Sequence, residues 1–265
     1  MIRRLVSSVI LIPPVLAAIW IGAPYFNILL LIAGLAAVFE WCRIAAGGHS
    51  ERLGYAALCL FTAVLVLYSF EQIPLAWTIL GIGALGLIGF GWLGAGSGNP
   101  WPAIGLLYIG AASIALAVLR GDQAEGRSAI LWLFLVVWAT DIGAYMFGRW
   151  IGGARLAPSI SPGKTWAGLI GGAASAAVVA AILLAATPVE RGIMAIVALS
   201  ALVAVVSQAG DLFESWYKRR FGVKDSGQLI PGHGGILDRI DGMLLAAPLV
   251  AIVFWLTQGG IAPWK

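Results

Sequence analysis

The residues best equipped for chemistry crowd between positions 210 and 242. Asp211, Glu214, Asp225, Asp238 and Asp241 alternate there with Lys218, Arg219, Arg220, Lys224 and Arg239, in a chain with only 12 acids and 16 bases in all. Asp238 and Asp241 are spaced i, i+3 at the mouth of the last apolar run. If a helix begins near Leu237, both carboxylates share one face, and hard oxygen ligands so arranged suit Mg²⁺. Asp211 and Glu214 repeat the spacing where the preceding apolar run ends, so two acidic helix ends could close around one metal. Between them, Pro231-Gly232-His233-Gly234-Gly235 reads as a turn whose bare amides can approach a phosphate. His233, set among glycines, is a candidate phosphate or loop-ordering contact and not a metal ligand. A solvated loop with incidental charge is the plainer alternative for the whole segment.

Three further positions stand out. Asp141 lies inside an apolar run, where an acid costs about 2.5–3.5 kcal/mol to insert, which makes it a functional candidate by default. A hydrogen-bonded packing role beside Thr140 and Tyr145 is the alternative. Glu40, near the end of the second apolar run, carries less weight because a short slide would bring it to water. Ser159-Ile160-Ser161-Pro162-Gly163-Lys164-Thr165 precedes a helix start at Trp166. It fails the P-loop pattern, since Pro158 stands where the first glycine is required. Lys164 with Ser161 and Thr165 at a helix N-terminus is nevertheless an anion site, or a cap with a snorkelling lysine.

The elements that must position these residues are membrane helices. Of 265 residues 61% are hydrophobic and 11% charged, against about 25% charged in soluble domains, and mean hydropathy is +0.96. Twelve Trp and 35 Gly fit interfacial belts and close helix packing. The alternation of a membrane β-barrel is absent, so the expected fold is all-α and polytopic, a single membrane-embedded domain over residues 1–265. The spans read as Leu5–Ile21, Phe26–Cys42, Leu53–Phe70, Pro74–Leu93, Trp101–Leu119, Ala129–Phe147, Trp166–Ala186, Gly192–Ala209 and Met243–Thr257. Arg3 and Arg4 before the first run suggest a signal peptide, but no clean cleavage site follows and a retained helix is expected, kinked or begun at Pro13-Pro14. Cys42 and Cys59 lack ligand spacing and read as small core residues. With the N-terminus inside, every Lys and Arg except Arg120, Arg127, Arg191 and Lys265 falls on the cytoplasmic side, as the positive-inside rule requires.

Taken together the motifs resemble the phosphatidate cytidylyltransferase, or CDP-diacylglycerol synthase, family. Its long signature is matched by Ser215-x-x-Lys218-Arg219, Lys224-Asp225, Gly227, Pro231, His233-Gly234-Gly235 and Asp238-Arg239-x-Asp241. A second block runs Thr140-Asp141-Ile142-Gly143-Ala144-Tyr145 with Gly148-Arg149, and a third Ile160-Ser161-Pro162-x-Lys164-Thr165-Trp166. The likeness is sharp from Thr140 to Asp241. Tyr217 departs from a usual aliphatic, Gly163 from a common lysine and Ala167 from a common acid.

The resemblance implies that CTP and phosphatidate react to CDP-diacylglycerol and pyrophosphate, in phospholipid biosynthesis at the inner membrane with the site facing the cytoplasm. It implies catalytic roles for Lys218, Asp211, Asp238 and Asp241, the three aspartates holding Mg²⁺, with a second cation as an open alternative. Ser161, Lys164, Ser215, Arg219, Lys224, Asp225, His233, Arg239 and Asp141 are then expected around the substrates. Membrane lipid is an expected partner, nucleic acid is not, and a homodimer is what the family suggests. A transporter, the main rival, would spread acids at midplane depth and show an internal repeat; here the acids cluster at one interface. A CDP-alcohol phosphotransferase would continue Asp241-Gly242 differently from Met-Leu-Leu-Ala.

Overall fold

The computed structural model describes residues 2–46, 51–93, 98–121, 124–185, 193–229 and 234–257. Among them stand nine helices: α1 (Ile2–Ile21), α2 (Tyr25–Ala46), α3 (Glu51–Ser69), α4 (Ile73–Leu93), α5 (Trp101–Arg120), α6 (Ala124–Trp150), α7 (Trp166–Ala185), α8 (Ile193–Arg220) and α9 (Leu237–Leu256). The architecture is all-α, as expected. In lipid an apolar run can satisfy its backbone only by coiling on itself, and α2 to α9 are the eight helices long and apolar enough to cross a membrane. The chain is thus built as an integral membrane protein. In α1 the helix continues through Pro13 and Pro14, but its qualifying apolar part is the shorter Ile12–Ile21.

Several helices outrun their expected spans, α8 and α9 at the charged segment among them. Helix α8 extends past Ala209 to Arg220, and α9 begins at Leu237 instead of Met243. Hydropathy marks where charge begins, whereas Glu, Lys and Arg are good helix formers and carry the coil onward. Helix α8 stops in a Schellman turn: Val223 N–H bonds Lys218 O at 3.0 Å and Gly222 N–H bonds Arg219 O at 3.1 Å. Gly222, at φ 70°, supplies the left-handed residue this turn needs.

The polar segment before α7 forms an antiparallel hairpin of β1 (Arg155–Ala157) and β2 (Ser161–Thr165). Strand β2 ends in the cap of α7, where Thr165 Oγ1 accepts the Gly168 N–H at 3.0 Å. Cys42 is buried, but Cys59 is exposed on α3 and is not the core residue expected of it; both are free thiols.

The chain groups into two compact units. The first comprises residues 1–117 and 218–240, the second residues 118–217 and 241–265. In the first, α1 to α4 pack on their sequence neighbours, as short connections dictate, and Trp41 anchors the core. Its Nε1 donates to Trp101 O at 2.7 Å and its ring meets those of Trp101 and Tyr108. In the second, α6 and α7 are the most closely packed pair. Glycines permit it: a Cβ on Gly168 would stand 2.8 Å from Ala144 O, and one on Gly172 2.9 Å from Thr140 O.

Candidate active site

In the second unit, two glycines decide where the carboxylates meet. A Cβ on Gly210 of α8 would lie 2.7 Å from Asp241 O of α9, and Gly242 presses as closely on Ser207. The residues beside those glycines, Asp211 and Asp241, therefore share one locality. Half-buried Asp241 lies within electrostatic reach of Asp211, Glu214 and Asp141. Glu214 is fully buried, while Asp141, expected inside the membrane run, lies on an exposed side of α6.

Lysine 164 reaches this group from β2. Lys164 Nζ stands 2.8 Å from Asp211 Oδ2 and donates to Gln208 O at 3.3 Å. Ser215, one turn along α8, donates its hydroxyl to Asp211 Oδ1 at 3.3 Å. The hairpin is what delivers the lysine, so its role beside an acid depends on an element not visible as a strand in the sequence. Ser161 is half-buried at the start of β2, opposite Ala157.

Among the described residues no three His, Cys, Asp or Glu side chains form a ready cage for a metal. The chemistry of the donors nevertheless fits a hard divalent ion, since the group is all oxygen. One turn before Asp211, Ser207 Oγ and Gln208 Nε2 are buried with no hydrogen-bond partner among the described residues. Buried polar atoms of this kind call for water, and Mg²⁺ characteristically keeps several of its waters.

In the first unit the acids are used differently. Asp238 takes Lys218 Nζ at 2.5 Å on Oδ1. It also accepts the backbone N–H of Ser226, at 3.0 Å to Oδ2, and of Gly235 at 2.9 Å. The contact to Gly235, three residues back, ties the turn before α9 to the helix's first turn. Glu40, fully buried, accepts the Ser226 hydroxyl at 2.9 Å and the N–H groups of Ile236 at 3.1 Å and Leu237 at 2.9 Å. It thus caps the start of α9 across a wide gap in sequence.

This changes the reading of the glycine-rich turn. The amides of Gly235, Ile236 and Leu237 donate to the protein's own carboxylates, and a Cβ on Gly227 or Gly235 would run into the Glu40 carboxylate. Pro231, Gly232 and His233 lie outside the described residues. Arg219, Lys224, Asp225 and Arg239 are exposed on this unit, with Arg219 NH1 donating to Val223 O at 3.2 Å. Sequence reasoning underrated Glu40 and passed over Arg43, whose NH2 donates to Ser226 O at 3.2 Å. The signal for Glu40 was present: a carboxylate among apolar residues persists only where donors satisfy it.

These motifs and helices match an established model, that of the cytidylyltransferase family, over residues 2–257. The chain belongs to this family. Among relatives of the cytidylyltransferase, the phosphatidate cytidylyltransferase of Brucella suis is 42% identical over 250 residues, covering 93% of this chain and 90% of the relative. The protein of the same name from Haemophilus influenzae is 33% identical over 288 residues, covering 96% and 98%. That of Staphylococcus haemolyticus is 41% identical over 148 residues, 56% of this chain. The cytidylyltransferase is accordingly a membrane-bound nucleotidyltransferase of lipid biosynthesis.

Proposed function

We propose that this enzyme transfers the cytidylyl group of CTP to phosphatidate, forming CDP-diacylglycerol and pyrophosphate for phospholipid biosynthesis. The observation that carries the reading is the meeting of Asp211, Asp241 and Lys164 in one unit, two of which, Asp241 and Lys164, match the family's motifs. A phosphate oxygen of phosphatidate attacks the α-phosphorus of CTP; the bond from that phosphorus to the bridging oxygen breaks, and pyrophosphate leaves with the electron pair. No protein nucleophile is needed, because the lipid phosphate is already ionised. Alignment and charge neutralisation are the work left to the chain.

Asp211 and Asp241 would hold Mg²⁺, which supplies charge neutralisation on the phosphate oxygens when bound. Asp238 is the expected third ligand, and one of its present donors, Lys218 or a backbone amide, would have to give way. Lys164 holds Asp211 in place and offers a positive charge beside it. Lys218, Arg219, Lys224 and Arg239 offset the charge of triphosphate and pyrophosphate; Ser161, Ser215, Asp225, His233 and Asp141 line or order the substrates' surroundings. A second cation near the acids is compatible with their number.

The distribution of Lys and Arg supports an inner-membrane protein with its N-terminus and site facing the cytoplasm, acting as one catalytic domain. A homodimer is what the family resemblance suggests, and the glycine-rich helix faces are compatible with it. Purified protein incubated with labelled CTP and phosphatidate in detergent should yield a lipid-soluble cytidine product. Chelation should stop its formation and added Mg²⁺ restore it; a water-soluble label throughout, or turnover indifferent to chelator, refutes the corresponding part. A reporter fused after Lys265 should read as external if α1 crosses the membrane with the other eight, and as cytoplasmic if it does not.

A further inference from the structure

A cavity of about 390 Å³ in the second unit lies between the end of α6 and the β1–β2 hairpin. It is distinct from the carboxylate group but joined to it through β2: Gly163 lines the cavity and the next residue, Lys164, pairs with Asp211. Its size is at the lower end of the about 300–1,000 Å³ typical of small-molecule sites.

The lining is basic and bare. Arg149 and Arg155 both border it, with Gly152, Gly153 and Gly163. Arg149 NH1 donates to the Tyr145 hydroxyl at 3.2 Å, which holds that guanidinium one turn from its own end of α6. Gly152 and Gly153 sit at φ 64° and 89°, conformations that side chains resist, and a Cβ at either position would meet nothing within 4 Å. The wall is therefore exposed backbone open to a ligand. Neither arginine is paired with an acid among the described ion pairs.

The surroundings specify the source of an anion. Trp150 and Ile151, which link the lining residues Arg149 and Gly152, are 72% and 68% exposed, and Trp166, next after the lining residue Thr165, is 52% exposed, where apolar helix meets polar hairpin. Exposed Trp at such a junction marks the headgroup level of a bilayer, where basic residues attract anionic lipid. The geometry points to a binding site for the phosphate of an anionic glycerolipid, held by Arg149 and Arg155 while its acyl chains lie along Trp150 and Ile151. Resting on the function proposed above, the lipid it serves is phosphatidate, docked beside the strand that carries Lys164.

The test needs no turnover. Native mass spectrometry of the full chain in detergent, titrated with phosphatidate and with phosphatidylcholine, should show preferential retention of phosphatidate. R149Q/R155Q should lower that retention about thirtyfold. Gly163→Phe should do the same while leaving both arginines intact, since a side chain there enters open space and the unfolding temperature should hold. Unchanged retention in both variants overturns the site. Displacement of the lipid by equimolar CTP or inorganic phosphate reassigns the cavity to a soluble anion and overturns the lipid assignment. A wild type that retains phosphatidate but makes no cytidine lipid would sink the proposed reaction and leave the site standing.

Discussion

Carboxylates serve opposite ends in the two units of this chain. In the first, Glu40 and Asp238 are surrounded by donors: backbone amides, the Ser226 hydroxyl and Lys218 Nζ. Charge buried that way is stabilised by fixed partners and holds a loop and a helix start in one geometry. In the second, Asp241 lies among other acids, with Asp211, Glu214 and Asp141 acting on it. Acids that face acids store an electrostatic cost that a bound cation relieves. One arrangement satisfies its carboxylates with fixed donors, and the other sets Asp241 among like charges.

The difference is broken most severely at Asp241. Asp241→Asn keeps the shape and removes a charge from the acid group, so turnover should fall by about 10²–10³-fold while the folded chain is retained or stabilised. Steady-state rates and thermal unfolding in detergent check both halves. A variant of normal activity would show that Asp241 is a packing residue. Glu40→Gln is the contrasting change. It leaves amide hydrogens facing an amide, and the loss of charge-assisted bonds should cost about 1.5–3 kcal/mol of stability. Turnover of the protein that remains folded should be reduced far less than in Asp241→Asn. A stable Glu40→Gln with abolished turnover would reverse the assignment of the two regions.

Much of this was legible in the sequence. The apolar runs announced the helices, and the i, i+3 acids at the ends of two of them marked the charged segment where α8 and α9 carry it. Asp211 and Asp241 could be named as partners because helix geometry makes spacing informative. Glu40 was harder, since its partners Ser226, Ile236 and Leu237 are remote in sequence and hydrogen bonds to backbone leave no residue pattern. The hairpin was hidden because Ser161-Pro162-Gly163-Lys164-Thr165 has neither apolar alternation nor β-branched content apart from Thr165. The closeness of Gly227 and Gly235 to Glu40 was hidden for a related reason: a small residue reports close approach but not what approaches.

Lys164 tests how the acid group is held. Lys164→Met retains the aliphatic stem and removes the ion pair with Asp211, whose side chain is 36% exposed. Solvent screens such a pair, so the expected loss is at most about fivefold in kcat/KM, near 1 kcal/mol, with Lys164→Arg recovering part of it. A loss as large as that of Asp241→Asn would mean the lysine contacts the reacting phosphates directly. No loss would leave Asp211 oriented by Ser215 alone.

The smallest expected effect is the sharpest in sign. An exposed Gly→Ala change within a helix gains about 0.5–1 kcal/mol, because alanine loses less freedom on folding. At Gly210 the added methyl would stand 2.7 Å from the Asp241 carbonyl oxygen, a backbone atom that cannot rotate away, and overpacking costs about 1–3 kcal/mol. The two terms leave a net destabilisation of about 1 kcal/mol for Gly210→Ala. Because the shift would also part α8 from α9 at the acids, kcat should fall by more than the stability loss alone predicts, with the Glu40 region unaffected. Hydrogen exchange of the Ile236 and Leu237 amides reports that region separately. Equal loosening there and at Asp241 would mean that the acids of the two units are not held independently.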